Sequence, residues 1–248
     1  MMKISIVTPC YNSVLTIEAT IQGVLSQKNV DVEHIVIDGG STDGTVDIIK
    51  KYNDKIFYWV SEKDNGIYDA MNRGIKMASG KIIGILNSDD LFDNDKVLAN
   101  VIEAFRDEKI EAVYGDVGYF STDVNKMTRI WRAGEYRENK LNNGWIIPHP
   151  ALFLHRTVYE KCGLFNSNFK IAGDYEFILR ILKIYRVNIK YFPRVLVRMY
   201  NGGASGRDIG QRRIGWKELK RAWLVNNLKI PSFFIARRIL SKLTQFLI

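Results

Sequence analysis

The sequence predicts an α/β fold, a mostly parallel sheet with helices on both faces, followed by a basic amphipathic helical extension. Three observations predict it. Over residues 3–116, short apolar runs that read as buried strands alternate with segments whose apolar residues recur at helical spacing. Joining such strands requires right-handed crossovers, which place helices over the sheet. From Ile181 onward the composition turns basic, with 15 Lys and Arg against Asp208 and Glu218.

Each element has a local reason. "KISIVTP" (3–9) reads as a buried strand, and Ser13 or Thr16 suits an N-cap before Ile17, Ile21, Val24 and Leu25. "VEHIVID" (32–38) is a second strand, "DGTVDIIKKY" (43–52) a short helix and "IFYWVS" (56–61) a third strand. Ile67, Met71, Ile75 and Ala78 mark the next helix, and "KIIGILN" (81–87) the fourth strand. A helix over 93–106 and a strand at "EAVYGD" (111–116) follow. Then "VGYFS" and "TRIWRAG" read as a hairpin, and "WIIPHPALFL" (145–154) as a strand bent by its prolines. Helices are expected at 156–162 and 174–185, then strands at "NIKYFP" and "RVLVRMY", a glycine-rich loop at 201–207 that would close over a ligand or merely connect, and helices to the end.

The 248 residues, 46% hydrophobic and 25% charged, suffice for a sizeable core. Cys10 and Cys162 lie far apart, which fits a reducing cytoplasm and no disulfide framework. The chain shows no cationic leader with a long apolar run, and no apolar stretch reaches the ~20 residues that span a bilayer. Of the net charge of +9, the last 68 residues carry +13, so the body is slightly acidic and the tail strongly basic.

Ligands bind an open parallel sheet at the carboxyl ends of its strands. Here those ends read "TPCYN", "DGGSTDGT", "SEKDNG" and "NSDD", a rim of hydroxyls, amides and carboxylates. Neither GxGxxG nor GxxxxGK[ST] occurs, which disfavours an NAD-type or P-loop site. Carboxylates hold a diphosphate only through a divalent cation, and Mg²⁺ and Mn²⁺ accept such oxygen ligands. Asp89 and Asp90 therefore suit a metal that holds a diphosphate, or else cap the helix that follows.

"SIVTPCYN", "IDGGSTDGT", "DNGIYDAMNRGIKMASG", "ILNSDD" and "AGDYEFILR" occur in the order and spacing of the family 2 inverting glycosyltransferases. Over residues 3–200 the sequence resembles the bacterial branch that builds surface polysaccharides. The resemblance implies a Rossmann-like GT-A catalytic domain at 1–205, with a nucleotide-sugar half (1–116), an acceptor half (117–205) and a separate tail (206–248). It implies that Thr8, Pro9, Tyr11 and Asn12 border the nucleotide and that Asp38 accepts the base N–H of a UDP-sugar. Asp69, Asn72 and Arg73 would meet nucleotide or sugar, Ser88 and Asp89 the ribose and diphosphate, and Asp89 and Asp90 an Mn²⁺ or Mg²⁺ ion. Three departures stand out. Gly39 replaces an acid common in the family, Asn87 opens the DXD-type motif in place of Asp, and Met71 stands where many relatives carry Arg.

The resemblance makes Asp174 the catalytic base, with Glu176 as the competing acid. His149 and Trp145 would lie on the sugar or acceptor side, or pack in the core. In the tail, Leu219, Trp223 and Trp216 share one helical face beside Lys220, Arg213, Lys217 and Arg221. Ile235, Ile239, Leu240, Leu243, Phe246 and Leu247 oppose Arg237, Arg238, Ser241 and Lys242. Such helices suit a membrane interface, or pack on their own domain or a second subunit. The expected protein is thus cytoplasmic, peripheral on the inner face of the plasma membrane, with a glycan or lipid-linked acceptor. No nucleic-acid partner is expected, because the body is acidic. A nucleotidyltransferase would favour a glycine-rich start with a basic residue by the phosphates, which "TPCYN" lacks.

Overall fold

The computed structural model describes residues 2–121, 126–200 and 209–243, so the 201–207 loop lies outside the described residues. The first half follows the expected alternation: β1 (Lys3–Cys10), α1 (Ile17–Leu25), β2 (Asp31–Asp38), α2 (Thr45–Lys51), β3 (Tyr58–Ser61), α3 (Ile67–Met77) and β4 (Ile82–Ile85). These four strands are parallel in the order β3-β2-β1-β4. Their carboxyl ends therefore form one continuous rim.

A three-residue strand follows, β5 (Asp90–Phe92), and only then α4 (Val97–Ala104). The sequence expects a helix from 93, but three residues are too short to display a period, and the start of α4 is set by Asn94, whose side chain accepts from Lys96 N–H. The second half comprises β6 (Ala112–Phe120), β7 (Met127–Trp131), α5 (Glu138–Asn142), β8 (Leu152–His155), α6 (Arg156–Cys162), α7 (Gly173–Leu179) and β9 (Ile189–Tyr200). The β6–β7 hairpin and α6 stand as expected. "PHPALF" turns through a 3-10 segment at His149–Ala151 before β8 inserts antiparallel between β4 and β6. The helix expected at 174–185 ends as α7 and continues as a π-turn over Arg180–Ile184. The two strands expected near 190–200 are one, because the register shift opposite Gly115–Val117 accommodates Pro193, which has no N–H to pair.

Two tail helices follow, α8 (Ile209–Val225) and α9 (Phe234–Leu243). They do not form a separate body. Leu219, Ala222, Trp223 and Phe234 are buried in the same core cluster as Tyr175, Phe177 and Ile178 of α7 and Ile83 of β4. The second cluster lies under α4, with Ile4, Ile82, Val97, Leu98 and Phe153. The boundary expected at 205 thus runs through one continuous core.

One buried group predicts a pH response. His34 lies inside β2, its Nε2 3.0 Å from the Thr8 hydroxyl and its Nδ1 without a partner. Burial lowers its pKa to about 3. Because the folded value is depressed, the stability is fully present above the unfolded value near 6.5 and is lost as pH falls toward 3. The expected loss between pH 7 and pH 5 is about 2 kcal/mol from this group alone. His34→Gln, which cannot titrate, should flatten the dependence of Tm on pH relative to the parent. An unchanged slope would remove His34 as its source.

Candidate functional site

The loops of the rim are knitted to one another before any ligand arrives. Asn12 sits at φ 48, and its Oδ1 accepts from Thr42 N–H at 3.0 Å while its own N–H donates to Ser41 Oγ at 2.7 Å. Val14 N–H and Thr45 N–H both donate to Asp43. Ser13 N–H donates to Thr45 Oγ1, and Ser13 Oγ lies 2.8 Å from Ser88 Oγ. Ser13, Ser41 and Asp43 thereby lash the β1, β2 and β4 ends together. Tyr11, 63% exposed, stands on this platform with its ring open.

Several residues expected at the ligand are occupied by the protein itself. Thr8 and Pro9 are buried in β1, and the Thr8 hydroxyl faces His34. Asp38 is fully buried and accepts from Gly40 N–H, Ser41 N–H, the Ser41 and Ser61 hydroxyls and Cys10 Sγ. Five donors within the protein converge on it and fix the loop that follows β2. Burial, with Asp38 beside it, pushes the Cys10 thiol far up, so it stays protonated. Asn72 exchanges two hydrogen bonds with the Phe165 backbone, and Arg73 pairs with Glu62. Asp69 accepts from Asn65 N–H at the start of α3, closing that helix end.

The replacement at Gly39 has a geometric reason. A Cβ there would lie 2.7 Å from Asp64 Oδ2. A side chain at 39 would displace the Asp64 carboxylate, which lies beside the end of β2. Asp64 Oδ1 accepts from Gly66 N–H, which fixes its orientation.

At the end of β4, Asn87 Nδ2 donates to Asp90 Oδ2 at 2.9 Å. Burial, with Asp89 beside it, raises the Asp90 carboxyl well above the usual carboxylate range, against the pull of that hydrogen bond. Asn87 Oδ1 is buried without a partner. Neither acid caps α4, whose N-cap is Lys96. An oxygen without a partner and a carboxyl short of positive charge fit a cation at this turn, with the half-buried Asp89 toward solvent and Asp90 behind it. Among the described residues no cluster of three His, Cys, Asp or Glu could hold a metal alone. Further oxygen ligands would come from Asn87 Oδ1, water or the substrate.

Asp174 lies in the first turn of α7, one residue past the helix start. Tyr68, in the first turn of α3, donates its hydroxyl to Ile171 O at 2.8 Å and lies 3.3 Å from Asp174 Oδ1. Since α3 leaves the rim from the end of β3, this contact brings Asp174 to the same edge of the sheet. A Cβ at Gly173 would meet the Tyr68 ring at 2.7 Å, so only glycine admits the ring there. Burial, with Asp174 nearby, keeps the Tyr68 phenol protonated. His149 is buried edge-on to Phe165 at 5.5 Å. Burial lowers its pKa, against the opposing pull of Asp174, which favours the neutral ring.

Two residues expected beside Asp174 have other work. Glu176 is buried and forms a two-pronged pair with Arg180, at 2.9 and 3.1 Å, with Asn226 as a further donor. Three donors thus hold its carboxylate toward Arg180 and Asn226. Trp145 donates its indole N–H to Ala133 O and stacks on Tyr136 at 6.0 Å, as packing rather than an open platform. The sequence did not single out Tyr68 or Asp64, and it offered Ser13 only as an N-cap, whereas its hydroxyl meets Ser88. Nothing local marks Tyr68, since Asp174, which its hydroxyl reaches, lies 106 residues away.

The profile of glycosyl transferase family 2 matches residues 5–163, which spans the rim through β8. An uncharacterized glycosyltransferase of Mycobacterium tuberculosis is 34% identical over 181 residues, covering 71% of this chain and 68% of that one. In three dimensions the chain resembles S. aureus TarS 1–349 in complex with UDP-GlcNAc (TM-score 0.69, 17% identity, 95% of this chain and 72% of that one). It also resembles the mannosyltransferase PcManGT of Pyrobaculum calidifontis in complex with GDP-Man and Mn²⁺ (TM-score 0.68, 20% identity, 92% and 65%). Matched along the strands and loops that build its rim, this chain belongs to glycosyl transferase family 2 and is a glycosyltransferase of GT-A fold.

Proposed function

We propose that this glycosyltransferase moves a sugar from a UDP-sugar to a hydroxyl of a glycan or lipid-linked acceptor, with inversion, in the synthesis of cell-surface polysaccharide. The observation that carries the reading is the arrival of Asp174, through Tyr68, at the rim where β4 ends in Asp89 and Asp90.

In this reading Tyr11, Asn12 and Asp64 flank the nucleoside, and Asp89, backed by Asp90, holds Mn²⁺ or Mg²⁺. When bound, the ion offsets negative charge on the leaving diphosphate. Transfer is one displacement. The acceptor oxygen attacks the anomeric carbon, its proton passes to Asp174, and the bond to the diphosphate breaks with its electron pair leaving on the phosphate oxygen. No enzyme nucleophile is needed.

A membrane role belongs to the outer face of the tail. No helix among the described residues is long and apolar enough to cross a bilayer. Phe233 (82% exposed), Leu224, Val225, Ile239 and Leu240 are instead exposed on α8, α9 and the turn between them, as are Lys220, Lys229 and Arg237, a composition that suits the inner, anionic leaflet.

A thermal-shift screen of nucleotide sugars, with and without Mn²⁺, tests the donor and the metal together. Because a ligand that binds only the folded state raises its stability, UDP-GlcNAc or another UDP-sugar at ~100 times its Kd should add about 2.7 kcal/mol. That is about 5–11 °C for a chain of this size. The shift should require the cation and vanish in Asp89→Ala. A shift equal with and without metal would sink the metal assignment, and a response to no UDP-sugar would sink the donor.

A further inference from the structure

We propose that Glu218, on α8, is a positioning residue for Asp174. The inference rests on Asp174 being the base and concerns what holds it in place. Glu218 is 7% exposed, and its carboxylate accepts three consecutive backbone N–H groups: Lys170 at 2.7 Å, Ile171 at 2.8 Å and Ala172 at 2.8 Å. These residues form the loop that delivers the chain into α7, whose N-cap, Ala172, has no side-chain hydrogen bond of its own. A buried carboxylate is costly unless donors surround it, and here they are the backbone just before the base.

The same loop is held from the opposite side. Ile171 donates its N–H to Glu218, and its C=O accepts from the Tyr68 hydroxyl, which also reaches Asp174. Asp174 follows two residues after Ala172 and inherits its place from this clamp. Buried Phe169 and Ala172 anchor the same loop in the core, and Glu218 supplies the acceptors for its backbone N–H groups. A displacement of about 1 Å at a reacting group costs on the order of 10²-fold in rate. Glu218 is therefore where the C-terminal helices enter catalysis without touching substrate.

Glu218→Gln tests this. Its amide keeps one acceptor oxygen but turns an NH₂ toward backbone donors, so the loop should shift. With UDP-GlcNAc and Mn²⁺ as the first probe, or whichever nucleotide sugar the screen identifies, kcat should fall about 10–10²-fold. The KM for donor and the Kd for UDP should stay at parental values, because the backbone groups of residues 170–172 bond to Glu218 and Tyr68 and not to the β1, β2 or β4 loops. Glu218→Asp, which keeps the charge but withdraws it, should lose kcat in the same manner and serves if the Gln variant folds poorly. Ala222→Gly, which weakens α8 without changing Glu218, is the control for stability. In the double variant with Asp174→Asn, Glu218→Gln should lower the residual rate no further.

Parental kcat in Glu218→Gln overturns the proposal while leaving the base assignment intact. A loss no larger than that of Ala222→Gly at equal Tm, or a fully multiplicative loss in the double variant, overturns it likewise. Parental kcat in Asp174→Asn overturns the base assignment itself, and the positioning role with it.

Discussion

Asp174→Asn is expected to lower kcat by about 10²–10⁴-fold while nucleotide binding and thermal stability stay at parental values. The substitution removes basicity and little else. The amide retains an oxygen that accepts from the Tyr68 hydroxyl, now 3.3 Å from Oδ1, so the junction between α3 and α7 should survive. A hydroxyl attacks poorly unless its proton is taken as the bond forms, and the base reading leaves Asp174 without a substitute. Glu176 is turned to Arg180 and Asn226. His149 lies close enough to feel Asp174, but burial lowers its pKa and leaves it a weak base. The measurement is the initial rate of donor consumption with Mn²⁺, alongside the Kd for UDP and Tm. A folded variant that binds UDP and turns over at the parental rate would take the base role away from Asp174.

The sequence made this site legible in proportion to how local its determinants are. The four parallel strands, their order of appearance and the polar character of their carboxyl ends follow from periodicity, because each strand's burial is written in its own residues. The position of Asp174 at the start of a helix is local too. What the sequence did not reveal is which polar groups the protein consumes. Asp38 and Asp89 look alike in one dimension, each an acid at the end of an apolar run. The first is sealed by five donors, three of them from Ser41 and Ser61, while the second stands half-buried at a turn. Likewise nothing near Gly39 announces Asp64, and nothing near Glu176 announces Asn226, because these partners are brought in by chain folding over 25 and 50 residues. Short β5 and the bulged β9 were hidden for a different reason. Three residues show no period, and a proline inside a strand reads as a break until the bulge that absorbs it is seen.

The tail carries the largest difference between pattern and structure, and Trp223→Ala turns that difference into a measurement. A helical wheel places Leu219, Trp223 and Trp216 on one apolar face but does not say whether lipid or protein covers it. In the structure the face divides. Trp223 is 2% exposed, donates its indole N–H to the Tyr175 hydroxyl at 2.9 Å and meets the Phe234 ring edge-on at 5.6 Å, whereas Trp216 remains 45% exposed. In α9 the sorting even reverses one charge. Arg238, on the basic side of the wheel, lies over the Tyr175 ring at 5.2 Å and donates to Gly144 O. Truncating a buried Trp to Ala typically costs about 3–5 kcal/mol, a large share of a total stability of about 5–15 kcal/mol. For a chain of this length that lowers Tm by about 6–20 °C. Trp216→Ala, seven residues away on the same helix, should change stability by no more than about 0.5 kcal/mol. If α8 were an independent helix waiting for a membrane, the two variants would melt alike and the main transition would not move with either. If it is the wall behind Asp174, Trp223→Ala should melt early and lose transfer as Tyr175, the neighbour of the base, loses its support.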